Sequence, residues 1–357
     1  MEEDNNYSTH TSGTNPPNST SSSSSSNAGS NCNHIKVVCR IRPANTRELN
    51  GGLRQSVHAK ESNIVANTKP EPRSFTFDYS AGESVTQEEI FNEVGIPITK
   101  SCVEGYNGTI LCYGQTGSGK TYTIFGPDTA NGVEEDEESL KQRGLVPRVL
   151  DYIWDNLAQN EVTVAGTKTF SCRCSFYEIY QERVYDLLDS AGASNERGLS
   201  VREDAKHGVY VEGCTEEQVS SPMDAKRVLA LGYRNRHVGA TSMNRESSRS
   251  HAVFQLVIDT TMEKQGVRTL KTARFSMIDL AGSERQKDTN ASGERLKEAS
   301  QINKSLSALG NVINALAAVS TSGGRKHIHY RDSKLTFLLR DSLGGNSKVS
   351  LSPPICL

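Results

Sequence analysis

The residues with the most chemistry in them run from Gly114 to Thr121: Gly114, Gln115, Thr116, Gly117, Ser118, Gly119, Lys120 and Thr121. They match G-x-x-x-x-G-K-[ST] and follow the continuous apolar run Thr109-Ile110-Leu111-Cys112-Tyr113. Such a run reads as a strand buried on both faces, the context a phosphate-cradling loop requires. The glycines let the backbone curl so that successive N–H groups converge on phosphate oxygens, and a helix starting at the loop's end adds partial positive charge. In that arrangement Lys120 reaches the β/γ oxygens and the Thr121 hydroxyl ligates Mg²⁺. The implied ligand is a nucleoside triphosphate with its magnesium ion. The loop alone specifies neither the base nor what the hydrolysis would drive.

Two further stretches suit the same chemistry. Asp279-Leu280-Ala281-Gly282 follows the strand-like Phe275-Ser276-Met277-Ile278. An Asp at a strand end can hold Mg²⁺ through water, and a Gly three residues on can present its N–H to a γ-phosphate; such a pair changes shape when that phosphate leaves. Asn244-Arg245-Glu246-Ser247-Ser248-Arg249-Ser250-His251 gathers three hydroxyls, guanidinium groups and an imidazole, which suits Mg²⁺ and water positioning. Taken singly, the first is a common chance match and the second also fits a solvated polar loop.

These residues need elements to hold them. Ile35 to Arg42 is a β-rich run ending at Pro43, and Phe75 to Tyr79 alternates like a strand. Thr169 to Tyr180, Ala252 to Thr261 and Thr272 to Asp279 also read as strands. Helices are expected at Gln87 to Val94, Leu145 to Ala158, Pro222 to Tyr233 and Ala299 to Val319. The last is the clearest, because Ile302, Leu306, Leu309, Ile313, Leu316 and Val319 make one apolar stripe. Strands alternating with helices predict an α/β fold, a mostly parallel or mixed central sheet with helices on both faces.

Composition sets the outer limits. Residues 1–33 are mostly Ser, Asn, Thr, Gly and Pro and cannot offset their ordering entropy by burial, so a disordered head is expected there and one domain over 34–357. The 40 Lys and Arg against 42 Asp and Glu leave a net charge of −2, so no global pull toward nucleic acid follows and an acidic partner must meet a local basic patch. The eight cysteines lack Cys-x-x-Cys spacing and ordered His partners, which points to reduced thiols rather than zinc or disulfides. The acidic, polar start is unlike a signal peptide, and no stretch approaches the ~20 apolar residues of a membrane span.

Together with Cys39-Arg40-Ile41-Arg42-Pro43, Gly105-Tyr106-Asn107-Gly108-Thr109, Asp279-Leu280-Ala281-Gly282-Ser283-Glu284, Ile302 to Gly310 and Tyr330-Arg331-Asp332-Ser333-Lys334-Leu335-Thr336, the sequence resembles the kinesin motor family from about Ile35 to Lys348. Ser242 to Glu246, Arg285 to Asp288 and Thr336 to Asp341 look most like its spindle-associated kinesin-12 branch. The resemblance implies a P-loop NTPase-type three-layer fold and a microtubule-stimulated, Mg²⁺-dependent ATPase. It implies that Arg40, Arg42 and Pro43 line the adenine with Tyr122 stacking on it, and that Ser248 joins Thr121 on Mg²⁺. Ser247 would hold the attacking water, Gly282 would sense the γ-phosphate, and Arg249 and Glu284 would form the ion pair that closes the site.

The implied partner is the acidic microtubule surface, which needs a local basic face. Arg325, Lys326, Arg331, Lys334 and Arg340 supply one against only Asp332 and Asp341 nearby. The resemblance adds Lys304 on the striped helix and Lys206 and His207 on another contact loop, with a place in the cytoplasm on microtubules and the spindle. No nucleic-acid or membrane partner is expected.

The sequence departs from the family pattern near its end. His329 stands where many kinesins have Pro, and Ser352-Pro353 comes early, followed by Pro354. A proline pair cannot extend a central strand, so the last strand is expected to be altered or missing, together with the final helix, the neck linker and any coiled coil for oligomerisation. A microtubule- and nucleotide-binding module that does not move is therefore the alternative to a motor. A G protein also carries a phosphate loop and Asp-x-x-Gly, but its base-reading Asn-Lys-x-Asp has no match here: Asn303-Lys304-Ser305 is followed by Leu306.

Overall fold

The apolar run ahead of the glycine-rich loop forms the strand its composition predicts, with Thr109, Ile110, Leu111 and Cys112 all buried, and the sheet is built outward from it. The computed structural model describes residues 35–51, 56–127, 137–159, 162–163, 166–189, 198–205, 207–243, 247–264, 266–284, 294–322, 327–344, 347–352 and 354–355. The expected disordered head lies outside them.

The central sheet contains β1 (Ile35–Ile41), β2 (Tyr79–Ala81), β3 (Asn107–Cys112), β4 (Gly166–Tyr180), β5 (Arg183–Asp186), β6 (Glu217–Val219), β7 (His251–Lys264), β8 (Val267–Asp279), β9 (Ser347–Ser352) and β10 (Pro354–Ile355). Its order is β6-β4-β7-β8-β3-β9-β1, with β2 and β10 also on β1 and β5 on β4. From β8 to β1 neighbouring strands are parallel. From β6 through β4 and β7 to β8 they are antiparallel. The sheet is mixed, as expected.

Period-two alternation sorts the strand residues onto two cores. Ile110, Phe254, Phe275 and Met277 pack with Ile98 of α1 (Ile96–Val103), Leu150 and Ile153 of α3 (Leu145–Gln159) and Ala225 of α4 (Pro222–Met243). Between α1 and α3 lies the short α2 (Lys120–Ile124). On the opposite face Leu111, Val253 and Ile278 pack with Leu306, Leu309 and Val312 of α5 (Glu294–Ser322), Leu335 of α6 (Lys334–Leu338) and Leu343 of α7 (Arg340–Gly344). The striped helix is thus a core helix, with the stripe on the sheet.

The expectation about the last strand is corrected. β9 lies between β3 and β1, paired from Ser347↔Asn107 to Ser352↔Cys112 on one side and from Ile35↔Val349 to Val37↔Leu351 on the other. β10 continues in the same register, with Arg40↔Pro354 and Ile41↔Ile355. The rule against proline in a central strand assumes a ladder on both sides. Pro354 falls beyond Cys112, where β3 has ended, so its missing N–H faces no ladder partner.

Phe75 to Tyr79 is likewise not one strand. Arg73–Thr76 closes a small sheet with Val57–Lys60 and Asn63–Ala66, and the chain then crosses to β1. Asp78 makes the crossing: its carboxylate accepts from Val37 N–H at 2.7 Å and its own N–H donates to Val37 O at 3.0 Å.

Gly232, within α4, shows how tightly a helix is seated. A Cβ there would overlap the ring of Phe176, which is wholly buried and packed edge-on against Phe254 at 5.7 Å and against Phe125 at 6.0 Å. Ala in place of Gly gains about 1 kcal/mol of helix propensity, whereas overpacking a closed core costs about 1–3 kcal/mol. Gly232→Ala is therefore expected to destabilise the domain by about 1 kcal/mol despite the better helix former; an unchanged or raised denaturant midpoint would contradict this packing.

Candidate functional site

Register brings the three polar stretches together. In β8 Asp279 lies beside Cys112, the last residue of β3, and beside Ala252, the second residue of β7. The glycine-rich loop leaves the end of β3, the 279–284 segment leaves the end of β8, and the hydroxyl-rich turn Ser247–Arg249 enters β7. All three therefore meet at one sheet edge.

The loop adopts the conformation its glycines permit. Gly117 and Gly119 have φ of 78° and 94°, a left-handed region costly for any other residue, and α2 starts at Lys120. The Lys120 side chain is buried and donates to Gln115 O at 2.9 Å. Burial pushes its pKa down, while Asp279 and Glu284 pull it back up. The Thr121 hydroxyl donates to Asp279 Oδ2 at 2.7 Å. Asp279 is 2% exposed, and its Oδ1 has no hydrogen-bond partner among the described residues.

Three backbone bonds strap the 279–284 segment down: Leu280 N–H to Cys112 O at 3.2 Å, Gly282 N–H to Ser248 O at 2.8 Å, and Ser283 N–H to Gly114 O at 3.1 Å. A Cβ on Gly282 would meet the Glu284 carboxylate and the Thr116 hydroxyl, so a larger residue there must displace these two side chains. Glu284 accepts from Thr116 N–H at 2.9 Å and from Thr116 Oγ1 at 2.6 Å. Burial pushes its carboxyl up, but these Thr116 bonds outweigh that and hold it below the usual carboxylate range. The expected partner was Arg249. In this structure the two donors on the phosphate loop take the carboxylate instead.

The oxygen set fits a hard cation. Thr121, Ser248 and Asp279 offer hydroxyls and one carboxylate, and Asp279 Oδ1 is a buried oxygen awaiting a partner. Among the described residues no group of three or more His, Cys, Asp or Glu side chains could hold a metal. The sparse oxygen set is one that magnesium, which keeps several waters, accepts.

Of the expected adenine residues, Tyr122 has an open side chain, 39% exposed. Arg40 is instead buried behind it, with its guanidinium carbon 5.7 Å from the Tyr122 ring centroid. It donates to Gln87 Oε1 at 2.7 Å, Thr123 Oγ1 at 3.0 Å and Val85 O at 3.3 Å, and Gln87 in turn donates to Tyr122 O at 2.6 Å. Arg42 donates to Pro43 O at 2.8 Å and pairs with Glu48 at 2.6 Å. Arg40 therefore braces the Tyr122 segment from behind.

Arg236 had no signal in the sequence, and the imidazole of His251 takes a place other than the expected one. Arg236 of α4, 3% exposed, donates to Ser247 O and Ser250 O at 3.1 Å each and pairs with Asp279 Oδ2 at 3.5 Å. It ties the hydroxyl turn to the 279–284 segment. His251, also buried, accepts from Ala281 N–H at Nδ1 (2.9 Å), and its Nε2 lies 2.8 Å from Ser305 Oγ on α5. Burial, helped by the charges of Arg236 and Lys120, lowers its pKa to about 3.

The basic face is partly assembled. Lys206, Arg325 and Lys326 lie outside the described residues. Arg331, Lys304 and His207 are exposed; Lys334 and Arg340 are half-buried. An unexpected acid enters from the hairpin Val201–Asp204/Gly208–Val211. Glu203 pairs with Arg331 at 2.8 Å and Arg340 at 2.7 Å, and Asp341 takes Arg340 at 3.0 Å. His207 is paired with Asp204 at 2.8 Å.

Comparison with known proteins gives a consistent set of likenesses. Residues 40–355 match the family model described as kinesin motor domain. The chain is 48% identical over 320 residues to the kinesin-like protein KIF15 of Rattus norvegicus, covering 89% of this chain and 22% of that protein. It is 47% identical over 320 residues to the kinesin-like protein KIN-12B of Arabidopsis thaliana, covering 89% of this chain and 24% of that one. The chain thus spans about a fifth to a quarter of the length of these relatives. A solved structure of a fast kinesin superposes with a TM-score of 0.78 at 39% identity, covering 91% of this chain and 86% of that one.

The buried imidazole predicts a pH dependence. Folded His251 stays neutral down to about 3, whereas an unfolded one titrates near 6.5. The unfolded state therefore binds more protons between these values, so this contribution is complete above about 6.5 and is lost as pH falls toward about 3. Urea midpoints at pH 7.5 and 5.5 should fall further in the parent chain than in His251→Gln, by up to about 1.4 kcal/mol per pH unit; equal slopes would refute the neutral, buried ring.

Proposed function

This chain belongs to the kinesin motor domain family, and from that premise we propose that it hydrolyses ATP and couples the turnover to binding and movement along microtubules, the domain occupying residues 34–357. The observation that carries the reading is the Asp279 junction. One buried carboxylate receives the Thr121 hydroxyl of the phosphate loop, while the segment it begins reaches Ser248 O through Gly282 N–H.

Phosphoryl transfer asks a protein for positioning and charge neutralisation more than for covalent chemistry. Gly114, Gln115, Thr116, Gly117, Ser118 and Gly119 present backbone donors to the phosphates, and Lys120 adds its charge. Thr121, Ser248 and Asp279 are the residues to hold Mg²⁺, which when bound neutralises phosphate charge. Ser247 positions the attacking water. Gly282 reports the γ-phosphate by exchanging the Ser248 carbonyl for a phosphate oxygen. Arg249 and Glu284 close the site once Glu284 leaves Thr116 for the guanidinium. Tyr122 carries the base, with Pro43, Arg40 and Arg42 around it.

The track face comprises Lys206, His207, Lys304, Arg325, Lys326, Arg331, Lys334 and Arg340, with a microtubule as the acidic partner and the cytoskeleton, spindle included, as the place of action. Support comes from the kinesin-like relatives and from the neighbouring fast-kinesin structure, which bears on ATPase mechanism and interactions with microtubules. The reading as a non-motile module is not favoured.

Lys120→Ala should lower microtubule-stimulated ATP turnover at least about 100-fold. Glu284→Ala should still bind a fluorescent ATP analogue yet fail to hydrolyse ATP. Normal steady-state turnover in either variant would overturn the assignment.

A further inference from the structure

Behind the open ring of Tyr122, the side chain of Gln87 joins three separate segments. Gln87 is 4% exposed and opens the short helix Gln87–Ile90, whose start is fixed by a reciprocal cap. Thr86 Oγ1 accepts from Glu89 N–H at 3.2 Å, and Glu89 Oε2 accepts from Thr86 N–H at 2.7 Å. From that fixed start, Gln87 Oε1 accepts from Arg40 of β1 at 2.7 Å. Its Nε2 donates to Tyr122 O of α2 at 2.6 Å and to Gln142 O at 3.2 Å.

These partners dictate the residue type. A guanidinium only donates and a carbonyl only accepts, so the position needs one acceptor and two donors on a single group. A carboxamide offers that, and in one orientation only, since turning it over would set its NH2 against Arg40. A Glu would face two carbonyls with a carboxylate, and an apolar side chain would leave buried groups unpaired.

Two of the three partners are anchored independently. Arg40 is held by Thr123 Oγ1 at 3.0 Å and Val85 O at 3.3 Å. Gln142 lies two residues before Gly144, whose N–H donates to Phe125 O at 3.3 Å. Gly126 has a φ of 95°, and a Cβ on Gly144 would strike the Gly126 amide, so backbone rests on backbone where this segment crosses the end of α2. Against these anchors the Gln87 amide sets the carbonyl of Tyr122, whose ring is the exposed part.

We propose that Gln87 is a positioning residue for the nucleobase, holding Tyr122 and Arg40 in one fixed relation so that the ring is presented to the base at a set height and tilt. Buried as it is, it acts through Tyr122 and governs nucleotide affinity. The inference rests on the reading of Tyr122 as the base platform.

The test is a double-mutant cycle. Kd for a non-hydrolysable ATP analogue with Mg²⁺ is measured in the full chain for the parent, Gln87→Met, Tyr122→Ala and the double variant. Gln87→Met should raise Kd about fivefold, what one ordinary hydrogen bond is worth, and should have almost no effect once Tyr122 is replaced. A merely structural role would raise Kd by the same factor in both backgrounds, overturning the inference. Should Gln87→Met fail to fold, Gln87→Glu, which keeps the acceptor for Arg40, carries the same cycle to the same two outcomes. Inorganic tripolyphosphate, which has no base, gives a second readout. Its Ki against ATP turnover should be equal in parent and Gln87→Met, and a Ki raised in step with the Kd would also overturn the inference. Tyr122→Ala with the parental Kd would instead overturn the base-platform reading, and parent protein without affinity for the analogue would overturn the nucleotide reading.

Discussion

Asp279 carries a carboxylate into a position almost closed to water, and the surrounding elements are arranged so that it is tolerated there. An unpaired buried charge is costly, and the cost is met only by partners with good geometry. Thr121 supplies one from the first turn of α2, and Arg236 supplies a charge from the middle of α4. Arg236 also donates from its other terminal nitrogen to Ser247 O and Ser250 O, which fastens the turn entering β7. The carboxylate therefore holds the ends of three separate chain segments against one another. Its second oxygen has no hydrogen-bond partner among the described residues, so a cation could be bound there without giving up these bonds.

The mixed sheet is what allows such a junction. In its parallel half the strands end on the same side, where ligands of open α/β sheets collect. β7 runs antiparallel to β8, so its beginning, not its end, meets that edge. The hydroxyl turn can thus enter the site immediately ahead of a strand while the 279–284 segment leaves it. β9 and β10 complete the parallel half against β1, and Pro354 is harmless there because β3 has already turned into the glycine-rich loop.

What was legible in the sequence was what depends on neighbours in the chain. The phosphate loop needs glycines at positions with positive φ, and Gly117 and Gly119 occupy them. The apolar stripe of α5 and the apolar runs of β7 and β8 follow from local periods and from burial on both faces of the sheet. Arg236, Gln87 and Ser305 were not legible, because each acquires its meaning from a partner brought near only by the fold: Asp279, Tyr122 and His251. Phe75 to Tyr79 misled for a related reason. Its alternation suits a strand, yet the Asp78 bonds to Val37 divert the chain from one sheet to another. Pro354 misled in the opposite direction, since a correct local rule met a place where its premise fails.

The same lesson alters the electrostatics of the basic face. Counting charges along the chain made Arg331 and Arg340 part of an almost unopposed cluster, but Glu203 lies between them in space and binds both. Arg340 is held on a second side by Asp341, whose other oxygen accepts from Val209 N–H at 2.8 Å. Gly208 lies so close that a Cβ would strike that carboxylate. Arg340 is accordingly a clasp joining the hairpin to α7, and exchanging these bonds for an external acid would bring little net gain. Arg331 differs: its side chain is 74% exposed, and a single solvated ion pair to Glu203 can be exchanged for an external acid at small cost. Among the described residues of this face, the positive charge open to solvent therefore concentrates on Lys304, Arg331 and Lys334, the residues carried by α5 and by the turn and helix packed against it. That is the helix whose Ser305 Oγ lies 2.8 Å from His251 Nε2, so the outward charge is carried by elements tied through one buried imidazole to the Ala281 amide.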